Sequence, residues 1–165
     1  MVPGGLGFGC GFALGQARLF MRSSRAFAAP RIGSNPVRIS WNTTRQTGTT
    51  ASFSIESLIV QINFEQRKPG AWIVSFTMLE DESQQALTLA TDIFSGVMAA
   101  VQEFLDLREP DLLIFPASQR EGLADAYEVY LQREEREFKR RGYRIELPER
   151  AGPIIEFRLQ RANSK

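Results

Sequence analysis

Histidine is absent from the 165 residues, and cysteine occurs once, at Cys10. Without histidine there is no Ser-His-Asp or Cys-His nucleophile system and no His-ligated metal centre. One cysteine makes neither an intramolecular disulfide nor a zinc cluster, and it suits a reducing compartment. Acidic residues are missing from the first 55 positions, which carry six arginines (18, 22, 25, 31, 38 and 45) and no lysine; the first acid is Glu56. The remainder holds 14 basic and 19 acidic residues, a net of −5 against +1 for the whole chain. A basic leader therefore precedes a mildly acidic domain. The overall balance offers no argument for nucleic acid or an acidic membrane.

Long apolar runs are also missing. In Met1–Gly15, glycine recurs every second or third residue (Gly4, Gly5, Gly7, Gly9, Gly11, Gly15). That density disfavours a regular helix or strand. The stretch is too short and too glycine-rich to span a membrane, and it lacks the charged start of a secretory signal. The segment 18–29, rich in Arg, Ser and Ala, has three readings: a disordered basic arm, an upstream start with the true one at Met21 or later, or a mitochondrial transit peptide. Residues 34–53 read as linker, with a short strand possible at Val37–Trp41. Residues 1–57 are thus expected to be leader and linker, 58–161 one α/β domain, and 162–165 a tail. The cytoplasm is the expected location, or a mitochondrion if the leader is a true transit peptide.

What is present is hydrophobic periodicity. Leu58, Val60, Ile62 and Phe64 alternate with polar residues, Arg67–Gly70 holds a Pro-Gly turn, and Trp72, Val74, Phe76 and Met78 alternate again, which predicts a β-hairpin. Glu80-Asp81-Glu82 reads as a solvated tip rather than a metal site. The segment 86–90 is expected to be a short third strand, with Leu87 and Leu89 on one face. A helix begins near Thr91 or Asp92, either of which can cap it, and runs through Ile93, Phe94, Val97, Met98, Val101, Phe104 and Leu105 to end before Pro110. Asp111–Phe115 is a continuous apolar run that suits a strand covered on both faces, ended by Pro116. Ser118-Gln119-Arg120-Glu121 has the form of a capping box, opening a second helix that runs to Arg141 and closes at Gly142. Its first half buries Leu123, Ala126, Tyr127, Tyr130 and Leu131; its second half is charged. Tyr143–Leu147 and Ile155–Leu159 predict a closing hairpin.

The expected class is therefore α/β (α+β): a mixed sheet of five to six strands with two core helices, in the order ββ(β)–α–β–α–ββ. A basic-aromatic patch for single-stranded nucleic acid (Arg22, Arg25, Arg31 and Arg38 with Phe20, Phe27 and Trp41) lacks regular spacing. Lys139-Arg140-Arg141 is what a helix C-terminus attracts by its dipole. A nuclease reading of Pro110-Asp111 with Glu137-Phe138-Lys139 fails, because the second element lies on a helix.

The element order resembles the C-terminal two-thirds of the GNAT acyltransferase fold. The segments Thr91–Val97, Pro110–Phe115 and Tyr127…Tyr130…Arg141-Gly142-Tyr143 are similar to small GNAT-like proteins of phages and prophages. The resemblance covers about residues 58–160 and implies an N-terminally reduced version of the fold. It implies that the loop into the first helix (Ala90, Thr91, Asp92, Ser95, Gly96) faces the pyrophosphate of an acyl-CoA. It also implies that Tyr127 or Tyr130 is the general acid for the departing thiolate. The Q/R-x-x-G-x-G/A signature of the family is absent; Gly96 is the one glycine in the region, and Asp92 places an acid where phosphate would sit. Two functions follow: a non-catalytic binding or accessory protein with a degenerate acyl-CoA site and a protein partner, or an acyl-CoA-dependent N-acyltransferase. The second needs a gap beside Leu112–Phe115, expected against the strand near 86–90.

Overall fold

A computed structural model describes residues 37–45, 48–79, 89–119 and 122–162. Seven strands form one mixed sheet: β1 (Ser40–Arg45), β2 (Gly48–Ile55), β3 (Leu58–Lys68), β4 (Ala71–Leu79), β5 (Leu112–Ser118), β6 (Tyr143–Glu146) and β7 (Ile154–Arg161). Three helices complete the described elements: α1 (Ala90–Arg108), α2 (Leu123–Arg133) and α3 (Glu135–Arg140). The strand order is β1-β2-β3-β4-β5-β7-β6, antiparallel throughout except for the parallel pair β4–β5, which α1 connects. A parallel pair needs such a crossover, and a helix with one apolar face supplies it.

The alternation in β3 and β4 sets the register. Val60, Ile62 and Phe64 lie opposite Met78, Phe76 and Val74, so their side chains share one face. That face continues through Leu113 and Phe115 of β5 to Leu159 and Phe157 of β7. It carries both long helices. Phe104 of α1 stacks on Phe64 at 4.1 Å between ring centres, with Trp41 and Trp72 around it. Tyr127 of α2 meets Phe76, Phe94, Phe115 and Phe157. Burying such rings contributes both area and edge-to-face pairing. Pro69-Gly70 makes the β3–β4 turn, where Gly70 has φ +78° and a side chain would overlap Asp111.

Six expectations need correction. Residues 40–45 and 48–55 are not linker: they form β1 and β2 and extend the sheet to seven strands. Their inward side chains, Thr49, Ala51 and Phe53, are mostly small, so the alternation is weak in hydropathy although its period is two. The fold is therefore less reduced at its N-terminus than the sequence implied. At the expected third strand, Leu89 is the N-cap of α1 and Ala90 its first residue, while 86–88 lie outside the described residues, as does the acidic tip at 80–82. Thr91 and Asp92 do not cap α1; the helix starts before them, with the Ile93 amide donating to the Leu89 carbonyl at 2.8 Å. Ser118 is the last residue of β5, paired with Ile154, so the S-x-x-E pattern is not a capping box; Gly122 is the N-cap of α2, at φ 70°. Finally, Pro116 does not end β5, and the charged helix is two helices joined at Glu134. The leader at 1–36 lies outside the described residues. No helix among the described residues is long and apolar enough to cross a membrane.

Candidate functional site

The parallel ladder between β4 and β5 is short. It pairs Ala71 with Leu112, Trp72 with Leu113 and Ile73 with Ile114. Both strands run on past this point, β4 to Leu79 and β5 to Ser118. Each keeps its outer partner to the end: Leu79 lies opposite Ile59 of β3, and Ser118 opposite Ile154 of β7. The result is an unpaired stretch between two strands that are each held on the far side. A gap beside β5 was expected against the segment 86–90; the described strand beside it is β4, and 86–88 lie outside the described residues.

Rings close the helical side of this gap. Phe76 comes from β4, Phe115 from β5 and Tyr127 from α2, with the Tyr127 ring 5.5 Å from Phe115 and 6.3 Å from Phe76. Phe94, one turn into α1, stands edge-on to Phe76 at 5.5 Å and stacks on Tyr130 at 4.9 Å. Tyr127 is 1% exposed and Tyr130 5%. Both tyrosines predicted as general acids are thus core residues by packing. Tyr127 makes ring contacts with residues of both strands flanking the gap.

The residues expected at the phosphate end divide in the same way. Thr91, Asp92 and Ser95 are exposed on the first turns of α1, whereas Ala90 and Gly96 are buried. Gly96 faces the sheet: a side chain there would overlap the Phe53 ring of β2. The close approach of helix and strand explains why this position is glycine. Leu89 provides no side-chain cap for α1, so no side chain of the cap satisfies the helix's leading amides. Asp92 is the acid of that first turn. An anion at this end would gain from the helix amides and lose to the carboxylate.

The charged run that ends the second helical segment is tied into the structure. Arg141 donates to Asp106 of α1 at 2.9 Å and to Glu137 at 3.0 Å; Lys139 pairs with Glu135 and Arg140 with Glu137. Gln102 donates to Glu134, joining α1 to the helix break. Each of Lys139, Arg140 and Arg141 thus has an acidic partner, and the Lys139 and Arg140 side chains remain exposed. At the other end of α2, Arg150 bridges Asp125 and Glu128 and anchors the β6–β7 connection to the helix.

Phe76 and Phe115 were read only as strand residues. Their place beside the gap depends on where a ladder stops, and hydropathy does not encode that.

No protein-family model matches the sequence, and no curated protein matches it. Among solved structures, one that is similar is RimL, the ribosomal L7/L12 alpha-N-protein acetyltransferase, in complex with coenzyme A. It is 8% identical with a TM-score of 0.41, and the match covers 71% of this chain and 64% of RimL. Another is a candidate acetyltransferase of Sphaerobacter thermophilus DSM 20745, 12% identical with a TM-score of 0.38, covering 87% of this chain and 88% of that one. This chain spans under two thirds of the length of RimL. Both scores lie below 0.5, so the functional reading stands on the geometry of the gap.

Proposed function

We propose that the protein binds an acyl-CoA, with the pantetheine arm in the gap between β4 and β5 and the phosphates at the first turn of α1. The observation that carries this is the ladder's end at Ile73 and Ile114 while both strands continue. A strand edge offers amide and carbonyl groups in a row, and an amide-bearing chain can pair with them as another strand would. Phe76, Phe115 and Tyr127 supply the apolar wall such a pocket needs. Asp92 makes the phosphate end weaker than in a glycine-rich loop, which fits a binding or accessory protein that acts without turnover. The likeness of Thr91–Val97 and Pro110–Phe115 to small phage and prophage proteins supports a phage-type protein working in a bacterial cytoplasm; the genes flanking its coding sequence test that origin.

The test is thermal unfolding with and without millimolar acetyl-CoA. A ligand at ~100 times its Kd stabilises by about 2.7 kcal/mol, a shift of several degrees. No shift, with no heat of binding by calorimetry, removes the reading.

A second reading, N-acyl transfer, is favoured by the position of Tyr127 against both strands of the gap. In that reaction an amine attacks the thioester carbon, the C–N bond forms and the C–S bond breaks. Tyr127 would give its phenolic proton to the departing thiolate, and the proton lost by the attacking amine would pass to water, from which the Tyr127 phenolate is reprotonated. Release of free thiol over a panel of amines, lost in Tyr127→Phe with binding retained, supports transfer. Binding without thiol release leaves the accessory reading.

A further inference from the structure

We infer that Pro116 is the residue that holds the β4–β5 gap open, a positioning residue for the acyl-CoA site; this rests on the binding reading above. The argument is one of donor direction. Amides two apart in a strand point to the same side. The Leu112 amide donates to the Gly70 carbonyl, toward β4. The amides of Ile114 and of residue 116 therefore belong to that side too. Those of Asp111's odd-numbered successors face β7, as the Gln119 amide donating to the Pro153 carbonyl shows.

In the observed register, the parallel ladder advances by one β5 donor every two residues: Leu112, Ile114, then 116. The third donor would reach the Val74 carbonyl. Residue 116 is proline, which has no N–H. Pairing with β4 stops at that step. On the other side nothing is lost. Pro116 lies opposite Glu156 of β7, and Phe115 and Ala117 on either side of it keep their places opposite Phe157 and Ile155. Proline is tolerated in a sheet where its nitrogen faces an unpaired edge, and here it makes one edge of an interior strand unpaired. Its own carbonyl stays on the β4 side and is available to an N–H of the bound chain.

The experiment compares wild type with Pro116→Ala and Pro116→Val, both of which restore the donor. Heteronuclear NMR and amide hydrogen exchange read the free protein; calorimetry with CoA reads the site. The restored residue-116 amide is expected to be protected and to show cross-strand contacts to β4. Tm is expected to be unchanged or raised, and CoA affinity to fall about tenfold or more. Lost binding together with kept or gained stability separates a closed gap from a damaged fold, since a merely structural proline would lose both or neither. An exchange-exposed residue-116 amide with no contact to β4, or full CoA affinity in both variants, overturns the inference. If wild type itself binds no CoA, the binding reading fails and the NMR comparison still decides whether Pro116 keeps the strands apart.

Discussion

The two ends of the β4–β5 pair are built differently. At the lower end, where β5 begins, connections cross in every direction. The Asp111 and Leu112 amides share the Gly70 carbonyl, the Arg161 amide donates to the Asp111 carbonyl, and Tyr143 donates its hydroxyl to the Pro110 carbonyl at 2.8 Å. Arg161 reaches Glu109, Arg141 reaches Asp106, and the Arg108 guanidinium lies 5.9 Å from the Trp72 ring centre. At the upper end, β5 is held to β7 and the β6–β7 connection to α2, but β4 and β5 are not paired with each other. Both long helices start there without a side-chain cap. A binding cleft costs stability at the place it occupies, and among the described residues the cross-links named above gather at the opposite end. If the lower end carries stability and the upper end carries binding, substitutions at each should move one property and spare the other.

The largest effect is expected at Phe104, which is fully buried among Phe64, Trp41 and Trp72. Phe104→Ala removes most of a ring from a packed cluster and should cost about 3–5 kcal/mol in urea unfolding. Any folded protein that remains should keep the CoA affinity of the wild type. A loss below about 0.5 kcal/mol, the range of an ordinary surface change, would mean that the lower cluster is not the anchor.

Next comes Tyr143, 3% exposed. Tyr143→Phe leaves the Pro110 carbonyl without its buried donor, at an expected cost of about 1–3 kcal/mol. The same residue gives a pH signature. Burial pushes its phenol up to about 12 against Arg161, which pulls it down, with Glu109, Asp111 and Asp106 adding to the rise. The folded state thus keeps a proton that the unfolded chain gives up near pH 10. The contribution is fully present below pH 10 and is lost as pH rises from 10 toward 12. Stability curves of wild type and Tyr143→Phe should converge across that window. Parallel curves would show that Tyr143 is not the titrating group.

Much of this lower end was legible. Val60, Ile62 and Phe64 against Trp72, Val74 and Phe76 fixed a hairpin by period alone, and the Phe104 face of α1 was plain from its spacing. Gly142, at φ 83°, is the helix-ending glycine it was read as. The upper end was less legible, because its features depend on tertiary partners. Gly96 looked like a phosphate-loop glycine until Phe53 appeared beside it, and Phe53 lay in a segment taken for linker. Ser118 had the local chemistry of a cap, but strand pairing with Ile154 overrode it. Pro116 was read only as the end of the strand, whereas β7 carries β5 past it.

A smaller effect is expected at Arg141, whose side chain is 19% exposed between Asp106 and Glu137. Arg141→Met keeps the packing of the stem and removes two ion pairs that are partly open to water. A loss of about 0.2–1 kcal/mol, shrinking in high salt, is the expected result. A loss that salt leaves unchanged would assign the residue's role to packing instead.

The smallest stability change and the sharpest test of the comparison meet at Asp92. This exposed carboxylate sits in the first turn of α1, where a negative charge is favoured by the helix dipole. Asp92→Asn should therefore cost a few tenths of a kcal/mol. The same charge opposes an anion at the same place, so removing it should strengthen CoA binding several-fold, equivalent to about 1 kcal/mol. The gain should be largest at low ionic strength, where the repulsion is least screened. The two properties then move in opposite directions from a single substitution. If affinity falls or stays level in Asp92→Asn while wild type binds CoA, the phosphates do not sit at α1, and the gap between β4 and β5 takes its ligand in another orientation.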